Sequence, residues 1–193
     1  MKTNNNRIST KIRILGAGLV ITILSLIVLT IYLNQKNIKD SLLINISGKE
    51  RMLTQQISKN VFYLYQQRDI NFNELDNAVE EFKYILNSLE KGDTLRGISA
   101  APTDEIAQQI SKIIVLWNSF NMNVQTFKEL IISKNQDNEK KLKVQVSSIY
   151  TSNNNLLKEV DYLVSMYTQY SEKKTHTIKN FQYGGAFILF LLI

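Results

Sequence analysis

Apolar residues follow two kinds of pattern along the chain, continuous runs near its two ends and helical stripes between them. The first run covers residues 14–33 and the second covers residues 181–193, and neither contains a charged residue. Between the runs, apolar residues recur at spacings of three, four and seven, which is typical of one face of a helix. The pattern predicts a helical region between two strongly apolar segments.

The first run, ILGAGLVITILSLIVLTIYL, has the length of a transmembrane helix. Its 20 residues, at about 1.5 Å per residue, cross a hydrocarbon core of about 30 Å. A cleaved signal peptide is the alternative, but its apolar region has about 7–15 residues before a small-residue cleavage site. The polar sequence NQKNIKD follows the run here, so we expect an uncleaved membrane helix in contact with lipid.

The charges that flank the first run predict its orientation. Lys2, Arg7, Lys11 and Arg13 precede it, and no acidic residue lies among them. Because positively charged flanks stay in the cytoplasm, residues 1–13 are predicted to be a cytoplasmic tail. The chain after residue 33 is then expected on the outer side of the membrane.

The second run, FQYGGAFILFLLI, is shorter than the first. Its 13 residues are fewer than the roughly 20 that a spanning helix needs. We expect it to be the start of a second transmembrane helix that the sequence leaves incomplete; the alternative is a segment lying in the membrane interface. Lys173, Lys174 and Lys179 lie on its outer side, against the usual charge bias.

Four apolar stripes lie between the two runs. They are Ile38, Leu42, Ile46, Leu53, Ile57, Val61 and Leu64; Leu75, Val79, Phe82, Ile85, Leu86 and Leu89; Ile106, Ile110, Ile113, Ile114, Trp117, Phe120, Val124, Phe127 and Ile131; and Leu142, Val146, Ile149, Leu156, Val160, Leu163, Met166, Tyr167 and Tyr170. The sequences RDINFNE, KGDTLRGISAAPTDE and SKNQDNEK separate them. Four helices with short connections predict an all-α, antiparallel up-down four-helix bundle over residues 34–180, between two transmembrane helices.

The loop between the second and third stripes has the clearest sequence signals. It contains Gly92, Gly97 and Pro102, the only proline in the chain. Thr103, followed by two acidic residues, predicts the start of the third helix.

Composition excludes several classes of function. The net charge of +6 arises largely in the N-terminal tail, which holds four of the 23 basic residues and leaves 19 opposite 17 acidic ones. This near balance predicts no nucleic-acid partner. The chain has no cysteine, so disulfides and thiolate chemistry are excluded and packing alone must hold the outer region.

Residues suited to catalysis are sparse in this sequence. His176 is the only histidine, and no Ser-His-Asp set, phosphate-binding glycine loop or metal-ligand cluster stands out. Glu80 and Glu81 are adjacent on a helix and therefore point in different directions. We expect no enzyme activity, no catalytic residues, no metal and no cofactor.

The sequence INISGKERMLTQQISK, residues 44–59, contains a glycine inside a predicted helix. Gly48 there costs about 0.5–1 kcal/mol relative to alanine, which suggests a close approach. Gly48 and Arg51 share one helix face, with Ile44 and Gln55 a turn to either side. From spacing alone, Arg51 lies in solvent, pairs with a carboxylate or binds a ligand.

The same sequence resembles the signature that opens the PilJ/NarX-type sensor domain, through Ser47-Gly48, Arg51-Met52 and Gln55. LRGISAAPTDEIAQQISKIIVLWNSF and NNNLLKEVDYLVSMY are similar to the loop with the third helix and to the last helix of that family. The resemblance covers most of residues 38–180. It implies the periplasmic input module of a chemotaxis transducer or nitrate-sensing histidine kinase of a two-component system, in the bacterial inner membrane.

The resemblance also implies a ligand site between the first helices of a homodimer. Nitrate or nitrite is the implied ligand, Arg51 its principal contact, and Gly48, Ser47, Lys49 and Gln55 the residues around it. The guanidinium of arginine suits this role because it donates two parallel hydrogen bonds to a planar oxyanion. An absent side chain at Gly48 would let the two helices approach.

The sequence departs from the family pattern at one position. Gln56 stands where the family often has a second arginine, and Glu50 adds a negative charge beside the motif. Both differences lower the expected affinity for an anion.

Two functions are compatible with these features. The first is a receptor input region that signals by displacement of helices across the membrane, with an output module downstream. The second is a membrane-anchored structural or docking bundle that binds a protein partner or an organic ligand.

Overall fold

The computed structural model describes residues 3–133 and 138–192. It contains four helices, α1 (Thr3–Gln67), α2 (Asn73–Lys91), α3 (Asp104–Ile132) and α4 (Glu139–Leu192). The predicted all-helical class and the breaks after the first and second stripes are confirmed. The predicted turn SKNQDNEK includes residues 134–137, which lie outside the described residues, as do residues 1–2 and 193.

The chain divides into two compact units. One is Ser41–Gln169, and the other consists of the described residues up to Asp40 and from Tyr170 onward. In the first unit, polar contacts join each helix to the next along the chain and join α1 to α4. These pairs are Lys49–Glu81, Asp76–Lys128, Gln109–Glu159, Asn123–Gln145 and Arg51–Asp161.

The order of these contacts shows the direction of the helices. Asn123 lies near Gln145 while Gln109, earlier in α3, lies near Glu159, later in α4. Residues later in α3 therefore lie beside residues earlier in α4. The pair α3–α4 runs antiparallel, as the up-down arrangement predicts.

The start of α3 and the end of α2 have the predicted local chemistry. The Thr103 hydroxyl accepts a hydrogen bond from the Ile106 backbone N–H at 3.3 Å and so caps α3. Gly92, with φ of 82°, ends α2 in a conformation that favours glycine. The loop closes on itself where the Asp93 N–H donates to the Ile98 carbonyl at 2.8 Å.

The core of this unit is apolar and includes a group of stacked rings. Phe82 of α2 stacks on Trp117 of α3 with ring centroids 4.1 Å apart, and Trp117 lies 5.8 Å from Phe120. Every apolar position predicted for the second stripe is buried. Burial of these side chains supplies the main favourable term in folding.

The predicted core face of α1 is wrong for the first three residues of its apolar stripe. Ile38 is 71% exposed, and Leu42 and Ile46 are only half-buried. The buried face instead follows alternating spacings of four and three through Leu43, Ser47, Glu50, Thr54, Ile57, Val61 and Leu64. Because three of these inward positions are polar, a stripe defined by apolar residues could not follow them.

The second unit contains the two apolar runs. Among the described residues, α1 is long and apolar enough to cross a membrane. A Cβ added at Gly185 would lie 2.5 Å from the Leu26 Cδ2 atom, so glycine permits a close helix contact. Gln182 donates to the Thr30 hydroxyl at 3.3 Å, and Lys174 pairs with Asp40 in the same unit.

Candidate functional site

Arg51 lies on the exposed face of α1 and makes an ion pair with α4. Its Nε atom is 2.9 Å from Oδ1 of Asp161, with the two side chains 58% and 45% exposed. An exposed pair of this kind contributes about 0–1 kcal/mol to stability. The arginine is thus oriented by Asp161 without being essential to the fold.

The surface beside Gly48 is open. Among the described residues, a Cβ added at Gly48 would meet no atom within 4 Å outside its own stretch of α1. A close approach within the chain therefore does not explain this glycine. Gly48, Arg51 and Gln55 lie together on consecutive turns of one α1 face, as their spacing predicts.

The structure places Ser47 and Lys49 away from that face. The Ser47 side chain is buried, and its hydroxyl donates to the carbonyls of Leu43 and Ile44 at 2.9 and 3.0 Å. The Lys49 ammonium pairs with the Glu81 carboxylate of α2. Only Gly48, Arg51 and Gln55 of the five predicted site residues therefore share the open surface.

The burial of Glu50 is a feature of the site that the sequence did not reveal. Its side chain is fully buried, and neither carboxyl oxygen has a hydrogen-bond partner among the described residues. Burial raises the pKa of this carboxyl well above its usual value of 4.5. The charge expected beside the motif is therefore directed into the core, where the carboxyl favours its neutral form.

Tyr167 of α4 faces the same buried environment. Its hydroxyl also has no hydrogen-bond partner among the described residues. Burial raises the pKa of this hydroxyl, and a negative charge on Glu50 raises it further. The alternating spacing of four and three residues from Leu43 to Ile57 was the one sequence signal that could have shown that Glu50 is buried.

The part of the chain that the structure describes offers no metal centre. No group of three or more histidine, cysteine, aspartate or glutamate side chains there is placed to hold a metal ion. His176 is exposed, and its Nδ1 atom lies 3.3 Å from the amide nitrogen of Asn180, one turn further along α4.

The fold and the sequence together define a class of sensory domain. Residues 32–148 match the PilJ family, described as the type IV pili methyl-accepting chemotaxis transducer N-terminal region, and the chain belongs to this family. It is thus a sensory ligand-binding domain of a chemotaxis transducer and not an enzyme. No curated protein matches the chain.

One solved structure is similar to this chain. It is the ligand-binding domain of the P. aeruginosa nitrate receptor McpN, with 21% sequence identity and a TM-score of 0.55. The match covers 67% of this chain and 95% of that one. At this identity the likeness establishes a shared helical fold.

Proposed function

We propose that this chain is the input region of a bacterial transmembrane receptor that binds nitrate or nitrite between the first helices of two copies. The observation that carries the proposal is the exposed α1 face with Gly48, Arg51 and Gln55. Membership of a sensory family supports it, as does a fold shared with the domain of a nitrate receptor.

The guanidinium of Arg51 supplies the chemistry for an oxyanion. It is planar, always charged and able to donate two parallel hydrogen bonds. The Asp161 carboxylate lies against Nε, and we assign the Nη1–Nη2 edge to nitrate. Gln55, one turn away and exposed, adds an amide N–H donor.

A symmetric pair of α1 helices, one from each copy, explains why residue 48 is a glycine. Asp161 offsets part of the positive charge of each Arg51. An anion between two opposed Arg51 side chains offsets the rest, so nitrate favours the paired geometry. The open surface at Gly48 lets the helices approach at the level of the arginines. Ser47 is buried and Lys49 is paired with Glu81, so neither is part of the proposed contact set.

The membrane arrangement is part of the same proposal. Residues 1–13 form a cytoplasmic tail, residues 14–33 the first span, residues 34–180 the periplasmic sensor domain and residues 181–193 a second membrane segment. The receptor lies in the inner membrane. The length and apolar character of α1 support the first span. Because α1 carries both this span and Arg51, helix displacement is the expected output.

The test is nitrate binding by the chain in detergent, measured by calorimetry for the wild type and for two Arg51 variants. Arg51→Ala removes the guanidinium and should abolish binding. Arg51→Lys keeps the charge but loses the planar fork, so it should lose most of the affinity. Arg68→Ala is the matched control, because Arg68 is also exposed and paired with one carboxylate, that of Glu139.

Circular dichroism distinguishes lost binding from lost structure. Arg51→Ala should remain folded, since the ion pair it removes is exposed. Wild-type affinity in Arg51→Ala, or unfolding of that variant, would contradict the proposal.

A further inference from the structure

A second concave site lies between the end of α1 and the beginning of α2. It has a volume of about 470 Å³ and is bordered by α1, the connection between the helices and the first turn of α2. Its polar lining residues include Lys59 and Asn60 on α1, Asp69 on the connection, and Glu74 on α2. We refer to this site as the α1–α2 pocket.

Residues with charges of both signs line the pocket. The Lys59 ammonium and the carboxylates of Asp69 and Glu74 make no ion pair with any described residue. Asp69 is held in place because its Oδ1 atom accepts a hydrogen bond from the Asn71 backbone N–H at 3.0 Å. Both signs of charge are therefore present at the pocket without an ion pair to neutralise them.

Backbone hydrogen-bond donors lie at the start of α2, which borders the pocket. The Asn71 Oδ1 atom accepts a hydrogen bond from the Asn73 backbone N–H at 3.2 Å. The next N–H groups of the first turn, those of Glu74 and Leu75, have no acceptor among the described residues. Donors of this kind favour a negatively charged group.

We propose that the α1–α2 pocket binds a small organic zwitterion, namely a free α-amino acid. Its carboxylate contacts Lys59 and the N–H groups at the start of α2, and its ammonium contacts Asp69 and Glu74. The aliphatic part packs against Tyr63, which also lines the pocket and is exposed.

Ligands with a single charge fit the pocket less well. An inorganic anion fills little of the 470 Å³ volume and meets two carboxylates. A simple amine satisfies the carboxylates but leaves Lys59 and the N–H groups at the start of α2 unmatched. The volume lies within the range of about 300–1,000 Å³ that is common for small-molecule sites.

This inference does not depend on the nitrate proposal. The pocket lies on different turns of α1 from Arg51 and uses none of the residues assigned to nitrate. Nitrate titration of the same preparations therefore reports on the first site separately.

The test titrates each of the common L-amino acids into the chain in detergent, followed by calorimetry. For each amino acid that binds, the corresponding primary amine and the corresponding 2-hydroxy acid are titrated as single-charge analogues. The variants are Lys59→Gln, which removes the ammonium, and Asp69→Asn, which removes a charge but keeps the Oδ1 acceptor. Lys83→Gln is the control, because Lys83 is an exposed lysine outside the pocket.

We expect saturable binding of at least one amino acid by the wild type and by Lys83→Gln. Lys59→Gln and Asp69→Asn should each weaken it about tenfold or more, since each removes a charged hydrogen-bond partner. Nitrate binding should be unchanged in both. The proposal is overturned if no amino acid binds the folded wild type, if both pocket variants bind as tightly as wild type, or if the analogues bind equally well.

Discussion

Replacing Glu50 by glutamine tests whether its carboxyl is buried in the core without a hydrogen-bond partner. The carboxyl is fully buried with no hydrogen-bond partner among the described residues, and burial raises its pKa well above 4.5. The folded chain therefore keeps a proton on Glu50 in a pH range in which the unfolded chain has lost it. Glutamine has nearly the same shape and no charge at any pH.

The sign of the pH dependence follows from proton binding. Above pH 4.5, the native state binds one proton more than the unfolded state, so the free energy of unfolding falls as the pH rises. The slope is at most about 1.4 kcal/mol per pH unit and ends at the folded-state pKa. Glu50→Gln should remove this slope and be more stable than wild type at pH 8.

The carboxyl of Glu159 also has a shifted pKa, but it changes stability in a different pH range. Hydrogen bonds from Gln109 and Lys112 lower the pKa of Glu159. Its contribution to stability is present above its unfolded-state pKa and is lost only as the pH falls through the folded-state value. It therefore stays nearly constant between pH 6 and pH 8, where the effect of Glu50 is measured.

The assay is urea unfolding of the chain in detergent, followed by circular dichroism at pH values from 6 to 8. Glu80→Gln is the control, because it makes the same change at a side chain that is 73% exposed. This control should keep the wild-type slope. Wild-type stability that stays level or rises over this range, or a Glu50→Gln protein less stable than wild type at pH 8, would refute the reasoning.

Three further changes test the core and the proposed dimer. Phe82→Ala removes a buried ring stacked on Trp117 and should lower the free energy of unfolding in urea by about 3–5 kcal/mol. Val115→Ala, at a position that is 69% exposed, is the control. An equal loss of stability in both variants would contradict the observed packing of Phe82. Gly48→Leu should leave the fold intact, because the space is open, but block nitrate binding; retained binding argues against helix approach there. The chain has no cysteine, so Met52→Cys should cross-link copies through α1, whereas Met122→Cys, at a more exposed position on α3, should not.

The elements of the fold were predicted where local chemistry determines them. Thr103 caps α3 and Gly92 ends α2 because side-chain oxygens and positive φ angles act within a few residues. The apolar stripe of α2 follows a helical period without interruption, so its buried face could be read from spacing.

The inner surface of α1 could not be predicted in the same way. Glu50 is buried because of the helix face on which it lies, although its residue type favours exposure. The ion pair between Arg51 and Asp161 depends on the alignment of α1 with α4, and no local signal specifies that alignment. The pattern placed Gly48, Arg51 and Gln55 on one face, and the resemblance assigned them a role that binding experiments must test.

The stoichiometry of nitrate binding tests the central claim most directly. Calorimetric titration of nitrate into the 193-residue chain in detergent should give one nitrate per two chains, since the proposed site is shared across a dimer. The heat should be absent in Arg51→Ala. One nitrate per chain, or no heat from a folded dimer with either nitrate or nitrite, would contradict the account.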